Sequence, residues 1–466
     1  MATQPPLLEA HEGTSFLLHF AQIHETFRRA EIESLATLHG IPLEWVYYDD
    51  SSPFAILTLP SASAARTLIS RSILSKGIYT LYARAGTYAA LHAQLQDPAA
   101  ATLVAACMSR TFKFTIESYQ RRRSARDARA LIDEFSYLAL DGGVNMRAAA
   151  LEFVVFEEFL LDGGYSGMLS CALGLKVGDG ARDTANTYDL KRRPYIGTTS
   201  MDAALSLVTA NLALAAPARL CLDPFVGTGS FLLAAAHFGG TVVGSDIDGR
   251  QIRGRAGRSI NGNFAHYGLK PRLLDTFTSD LTNTPLRAGR WIDCILTDPP
   301  YGVREGLKVL GSRTAEKAKT PVMVGDVMGH LLPDYVPPKR PYGFEAMLED
   351  VLTFAFEHLV DGGRIAFWMP VANEEGECAV PKARGLRLRH LCVQEFNKWS
   401  RRLLVYERIP DSDIEAAEEE KETPKETVQE SGRTADELNG FRKKYFEGFK
   451  PSLTPSGPST PKPTPS

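Results

Sequence analysis

Short apolar runs alternate along this chain with segments whose apolar residues recur every three or four positions. Phe16–Phe20 and Phe54–Leu59 read as strands, and Thr26–Leu38 and Ala62–Ile73 as amphipathic helices. Thr111–Tyr119 alternates with period two, and Ser124–Phe135 returns to helical spacing. The mixture predicts a small α+β module of two subdomains, residues 1–60 and 61–170. The Gly-rich, polar stretch Gly174–Asn186 reads as a linker, placed at 171–187. From Tyr188 to about Pro410 (188–410) the strands become continuously apolar and alternate with helices. This βαβα pattern argues for a parallel, doubly wound sheet. Residues 411–466 read as a largely disordered tail, because Glu415–Glu426 is a charge run and Pro451–Ser466 is almost all Pro, Ser, Thr and Lys. Within it, 438–450 carries Phe441, Tyr445, Phe446 and Phe449, an aromatic island expected to dock on a folded surface.

Composition narrows the class. With 466 residues, 44% hydrophobic and 23% charged, the chain is globular and long enough for more than one core. No apolar run reaches the ~18 residues that a membrane-spanning helix needs. The six cysteines (Cys107, Cys171, Cys221, Cys294, Cys378 and Cys392) are scattered, and most sit among apolar residues. They are expected to be reduced core residues of a cytoplasmic protein. With its first arginine at Arg28, the start of the chain is not expected to be a signal peptide or presequence. Neither cysteines nor histidines show ligand spacing, so no metal is expected. The net charge of −3 misleads: residues 411–466 hold 12 of the 55 acids and 8 of the 52 bases, leaving the remainder at about +1. A nucleic acid would have to bind through local patches.

The chemistry lies at strand ends in the second half. Leu220–Asp223 is a short strand that runs through Pro224-Phe-Val-Gly227-Thr-Gly229 into the helical Phe231–Phe238. Strand, glycine loop and helix bring backbone N–H groups to a helix start at the carboxyl edge of a sheet. The next strand, Thr241–Ser245, ends at Asp246, where a ribose would need an acceptor, and Asp280 follows the third. Any one such aspartate is ordinarily a helix cap or turn residue. Three on successive strands beside one glycine loop suggest a nucleoside site.

The fourth strand leads into Asp298-Pro299-Pro300-Tyr301-Gly302. An exocyclic amine on a nucleobase is a poor nucleophile until its hydrogens are held by acceptors. Asp298 and the Pro299 carbonyl, on a backbone locked by two prolines, supply two of them. Tyr301 offers a face on which an extruded base can stack.

Asp223-Pro-Phe-Val-Gly-Thr-Gly-Ser together with Asp298-Pro-Pro-Tyr-Gly resembles the class I S-adenosylmethionine-dependent amino-methyltransferases. Arg193-Pro-Tyr-Ile-Gly-Thr-Thr-Ser-Met-Asp before the glycine loop, Gly302-Val-Arg-Glu after Tyr301, and Thr111-Phe-Lys-Phe with Gly143-Val-Asn-Met in the front half narrow the likeness. It becomes a resemblance to the eukaryotic tRNA guanine-N2 methyltransferases that act at tRNA position 10. The implied fold is a Rossmann-like α/β methyltransferase domain behind a THUMP-type RNA-binding module. S-adenosylmethionine is the implied methyl donor, tRNA the substrate, and a small zinc-binding activator the partner. On this resemblance Asp223, Gly227 and Gly229 surround the methionine end of the donor, Thr198 and Thr199 its carboxylate, Asp246 the ribose and Asp280 the adenine amine. Asp298, Pro299 and Tyr301 take the guanine. The activator would add a strand to an exposed sheet edge, for which Thr241–Ser245 is the candidate.

Arg121, Arg122, Arg123 and Arg126 form the densest basic run, compatible with a solvated helix face but placed in the RNA-binding module, which favours phosphate contacts. Arg250–Arg258 is a second basic stretch, near the ribose acid. Arg401 and Arg402 read as edge-strand charges. Two other readings stand beside the leading one. An adenine-N6 methyltransferase of DNA or another RNA would use the same acceptors, and a tRNA-binding scaffold would keep the fold without the reaction.

Overall fold

A computed structural model of the chain describes residues 14–97, 109–161, 167–303, 306–311, 322–332, 335, 337–372, 380–397 and 399–418. The aromatic island 438–450, Cys107, Cys378, Arg304 and Glu305 lie outside them. Two seven-stranded sheets organise the molecule.

The first sheet is mixed. β1 (Thr14–Phe20), β2 (Glu44–Tyr47), β3 (Phe54–Leu59), β4 (Ser75–Ala85), β5 (Phe112–Tyr119), β6 (Leu151–Phe159) and β7 (Met168–Asp179) run in the order β2-β3-β1-β4-β7-β6-β5. The helices α1 (Glu25–His39), α2 (Ala62–Ile69), α3 (Tyr88–Leu95) and α4 (Ala125–Asp133) accompany it. Ser61, Thr87 and Ser124 cap the last three, each accepting a first-turn N–H.

This sheet corrects two expectations. It runs unbroken across residue 60, since β1 pairs with both β3 and β4. Most of the expected linker is strand: Gly174 in β7 pairs with Leu81 on one side and Val154 on the other. A Cβ at Gly174 would lie 2.9 Å from the Tyr79 Cβ, so this glycine serves close strand packing rather than flexibility.

The second sheet contains β8 (Leu220–Asp223), β9 (Thr241–Asp246), β10 (Leu273–Thr278), β11 (Ile292–Thr297), β16 (Leu359–Ala372), β17 (Leu386–Glu395) and β18 (Trp399–Arg408). Four short strands, β12 (Lys308–Leu310), β13 (Met323–Val324), β14 (Val327–Met328) and β15 (Lys339–Pro341), form two small ribbons after β11. The order is β10-β9-β8-β11-β16-β18-β17, with β18 antiparallel to both neighbours. Helices α5 (Ala203–Leu212), α6 (Ser230–His237) and α7 (Phe344–His358) pack on its faces. The order reverses between β8 and β11, and a crevice forms at such a switch point beyond the strand ends.

The topology makes further corrections. The edge is β10 rather than β9, which is paired on both sides. Arg401 and Arg402 lie on an internal strand, so they are not edge charges. The tail begins with a helix, α8 (Asp411–Glu418). Ile414 is buried, and Asp411 pairs with Arg290 and Arg408, which fastens a stretch that composition alone marks as disordered.

The two sheets share a core. Phe27, Ala30, Ile73 and Leu74 from the front module join one apolar cluster with α5, α6 and Trp368. Glu31 is fully buried at this junction. It accepts from Ser72 Oγ (2.7 Å), Ile73 N (2.9 Å), Leu74 N (3.0 Å) and Asn211 Nδ2 (2.7 Å). Arg71 donates to Asn211 and to the Ala215 carbonyl, and Thr26 exchanges hydrogen bonds with the Val393 backbone. Satisfied polar groups inside an apolar interface fix one relative placement of the modules.

Candidate active site

The glycine loop follows β8, at the point where the strand order reverses. Gly227 (φ +50°) and Gly229 (φ +84°) occupy the left-handed region, where a side chain would be strained. Gly229 N-caps α6 and, lacking a side chain, leaves the first-turn N–H groups uncapped. Such a helix start suits a carboxylate or other anion. The turn at 197–200 closes on this loop: Ser200 Oγ lies 2.7 Å from Thr228 Oγ1 and accepts from Gly197 N at 2.8 Å. Thr198 and Thr199 are exposed in that turn, ahead of α5, whose N-cap is Asp202. The turn thus stands beside the glycine loop.

The strand-end acids converge on the same edge. Asp223 is buried and accepts from Thr297 Oγ1 (2.8 Å) and Phe225 N (3.0 Å). Burial outweighs these bonds and pushes its carboxyl up to about 8. Asp246 accepts from Gly227 N (2.9 Å) and Asp248 N (2.8 Å), yet burial holds it above the ordinary carboxylate range. Asp280 takes Thr282 N (3.0 Å) on one oxygen and Leu310 N (2.6 Å) on the other, and so ties the third strand end to β12. Uncapped N–H groups, left-handed glycines and under-compensated carboxyls fit a nucleoside that carries both a carboxylate and positive charge.

Asp298 stands just beyond β11, at the same edge of the sheet. Its Oδ1 is buried and accepts no hydrogen bond among the described residues. Burial raises its carboxyl to about 6, against the pull of Tyr301 and of the Arg401 charge. An acceptor desolvated in advance is suited to an N–H donor that arrives with a substrate. The Tyr301 ring meets Trp399 edge-on at 6.4 Å. Trp399 in turn stacks on Phe396 at 4.5 Å. Trp399 and Phe396 carried no motif signal, because they enter from β18 and the loop before it, about a hundred residues downstream. Arg193 was also overlooked as a site residue: it is buried and donates to Ser230 Oγ at 2.7 Å, bracing the first residue of α6.

The basic run divides. Arg123 is not available to RNA, because its guanidinium binds Glu157 through Nε at 2.7 and 2.9 Å. Arg121 lies over the Phe159 ring, whereas Arg122 and Arg126 are exposed. In the second stretch Arg250 pairs with Asp248 at 2.8 Å.

Residues 14–182 match the model of the "Tmrp11 THUMP N-terminal domain" family, and residues 191–313 match "RMKL-like, methyltransferase domain". The chain is 43% identical over 400 residues to the tRNA (guanine(10)-N(2))-methyltransferase of Saccharomyces cerevisiae, covering 84% of this chain and 92% of that one. It is 37% identical to the protein of that name from Schizosaccharomyces pombe, over 85% and 90% of the two chains. The human protein of that name is 32% identical, over 96% and 98%. Glycine loop, strand-end acids and Asp-Pro-Pro-Tyr turn thus stand on a chain that belongs to the tRNA (guanine(10)-N(2))-methyltransferase family.

Proposed function

We propose that this chain transfers a methyl group from S-adenosylmethionine to the N2 amine of a guanosine in tRNA, at position 10 by its family, giving N2-methylguanosine. One observation carries the site assignment: the buried Asp298 Oδ1, which accepts no hydrogen bond among the described residues, at the strand end beside the glycine loop. S-adenosylmethionine, when bound, supplies a methyl group activated on a sulfonium sulfur. Gly227, Gly229 and the start of α6 would cradle its methionine end with Asp223 and the 197–200 turn. Asp246 and Asp280 would hold its nucleoside. Asp298 and the Pro299 carbonyl accept the two N2 hydrogens, which aims the nitrogen lone pair along the transfer line. Asp298 then takes the proton that N2 sheds, a task suited to a carboxyl near 6. Tyr301 closes the pocket beside it.

The front module presents the tRNA, with Arg122 and Arg126 on its phosphates. The zinc-binding activator adds its strand along β10, where Leu274 is 64% exposed. No helix among the described residues is long and apolar enough to cross a membrane. The four cysteines among the described residues are free and buried, which fits a reducing compartment, and we infer a cytoplasmic enzyme. The test is transfer of labelled methyl to unmodified tRNA, with and without activator, followed by identification of the labelled nucleoside. N2-methylguanosine in tRNA, absent with Asp298→Ala and with duplex DNA as acceptor, is the expected result. Label in N6-methyladenosine, or none from a folded and cofactor-bound complex, would overturn the assignment.

A further inference from the structure

The basic stretch beyond the ribose acid contains a built turn that the reaction itself does not use. Asp246 accepts from Asp248 N at 2.8 Å, and Asp248 caps the short helix Gly249–Arg253. The chain then reverses within Arg255-Ala256-Gly257-Arg258. Arg255 N donates to the Arg258 carbonyl at 2.9 Å, and Arg258 N to the Arg255 carbonyl at 3.0 Å. Ala256 (φ +53°) and Gly257 (φ +76°) are both left-handed, as a two-residue hairpin turn requires. A Cβ at Gly254 (φ +70°) would fall 1.8 Å from the Arg258 carbonyl oxygen, so the backbone closes tightly on itself. The turn is also fastened to the segment that leads into residues 197–200. Tyr195 Oη donates to the Gln251 carbonyl at 2.7 Å. Asn263, in the helix that follows the turn, exchanges hydrogen bonds of 2.9 and 2.8 Å with the Tyr195 backbone.

Residues paired across such a turn project from one face. Arg255 and Arg258 are therefore held side by side, both exposed and neither in an ion pair among the described residues, whereas Arg250 is committed to Asp248. Like charges directly opposite each other are destabilising, and an alanine in the left-handed region adds strain. A solvated surface loop requires neither arrangement. Two guanidiniums fixed on one face match a partner with regularly repeated anions, and their planar forks suit phosphate. The location fits as well. Only β8 separates β9 from β11, so the strand ends at Asp246 and before Asp298 are two strand spacings, about 10 Å, apart. The turn lies one short helix beyond the first of them. We propose that Arg255 and Arg258 clamp the phosphate backbone of tRNA beside the nucleotide that enters the site. The inference rests on tRNA being the substrate. It gives the catalytic domain a grip on the RNA of its own, next to the chemistry, in addition to that of the front module.

The experiment uses the full chain with its activator, as wild type, with Arg255→Gln and Arg258→Gln combined, and with Arg255→Lys and Arg258→Lys combined. Methyl transfer to unmodified tRNA and tRNA binding are measured across a salt series, and S-adenosylmethionine binding by calorimetry. The double glutamine variant should raise KM for tRNA about tenfold, with a smaller fall in kcat. Its slope of log affinity against log salt should flatten by about 0.7–0.9 for each arginine removed. The double lysine variant keeps both charges but loses the planar forks, so it should keep the slope and lose only part of the affinity. Affinities for S-adenosylmethionine and for the activator should match wild type. The unfolding midpoint should stay or rise, because the like-charge pair is relieved. Unchanged KM and salt slope in the double glutamine variant would overturn the proposal. So would a loss confined to activator binding, which would make the turn a protein contact, or a midpoint lowered in step with the tRNA loss, which would make it structural. Absence of methyl transfer to tRNA by the wild type would instead remove the functional reading beneath it.

Discussion

Glu157 in the first sheet and Asp298 beyond the second are both carboxyls withdrawn from water, yet their surroundings treat them oppositely. Burial alone would raise Glu157, but Arg123, Ser118 and Tyr88 outweigh it and hold it below the usual carboxylate range. Tyr88 and Ser118 each donate to it at 2.6 Å. Asp298 keeps an oxygen with no donor among the described residues, and its carboxyl rises to about 6. Asp223 rises further, to about 8. A saturated acid stabilises the fold, whereas an under-satisfied one stores electrostatic free energy that a ligand can release.

The largest effect expected from this contrast is on stability. Glu157→Ala strands the Arg123 guanidinium, which is mostly buried, and such a loss costs about 3–5 kcal/mol. Denaturant unfolding should show it as a lower midpoint with unchanged slope. Asp298→Asn should leave the midpoint where it is or raise it, since it removes an ionised group that the fold compensates only in part. The pH dependence carries the same opposition. Glu157 has a folded pKa below its unfolded value, so its stabilisation is present above the unfolded value and lost as pH falls through the folded one. Asp298 is raised, so its ionisation at neutral pH weighs against folding. Equal destabilisation by the two substitutions would break the comparison.

In activity the order inverts. Asp298→Asn retains one acceptor oxygen but loses the charge and the proton-accepting capacity. A fall of about 10²–10³ in kcat is expected, as for other preorganised electrostatic groups. Glu157→Gln, which keeps the shape and leaves the crevice untouched, should stay within a few-fold of wild type at temperatures where it is folded. Single-turnover transfer of labelled methyl separates the two, and a large kcat loss in Glu157→Gln would show that the front sheet takes part in chemistry rather than presentation.

What the sequence disclosed follows from how locally each feature is encoded. The glycine loop and the strand-end acids Asp223, Asp246 and Asp298 lie within contiguous strand-to-loop segments, so their convergence was legible from the βαβα pattern. Trp399 and Phe396 were opaque, because only the insertion of β18 between β16 and β17 carries them to the crevice. The same insertion makes an internal strand of what reads as an edge. Gly174 misled for a related reason: a glycine chosen for close contact with Tyr79 is indistinguishable in sequence from one chosen for flexibility. Arg123 lost its expected role to Glu157, a partner 34 residues away whose burial no local pattern signals.

A smaller effect is expected where Asp223 meets the donor. At neutral pH the raised Asp223 carboxyl is protonated, and a cationic ligand favours its ionised form. Binding should then release a proton, and affinity for S-adenosylmethionine should climb with pH towards about 8 by up to tenfold per pH unit. Calorimetry in buffers of different ionisation enthalpy measures that proton directly. S-adenosylhomocysteine, which lacks the sulfonium charge, should show a shallower slope. A pH-independent affinity for both would place Asp223 with Glu157, as a structural acid.

The smallest effect tests the other end of the comparison, within the basic run itself. Arg122 and Arg126 are exposed, whereas Arg123 is committed to Glu157. If the exposed pair contacts phosphate, replacing either with alanine should weaken tRNA binding a few-fold. The slope of log affinity against log salt should flatten by about 0.7–0.9 for each arginine removed. Unfolding midpoints should not move. Arg123→Ala should do the reverse, lowering the midpoint while the salt slope of the folded protein stays as in wild type. Filter binding of tRNA across a salt series reads both quantities from the same variants. A salt slope that changes with Arg123 but not with Arg122 or Arg126 would mean that the ion pair to Glu157 opens on RNA, and that saturation does not mark a structural acid here.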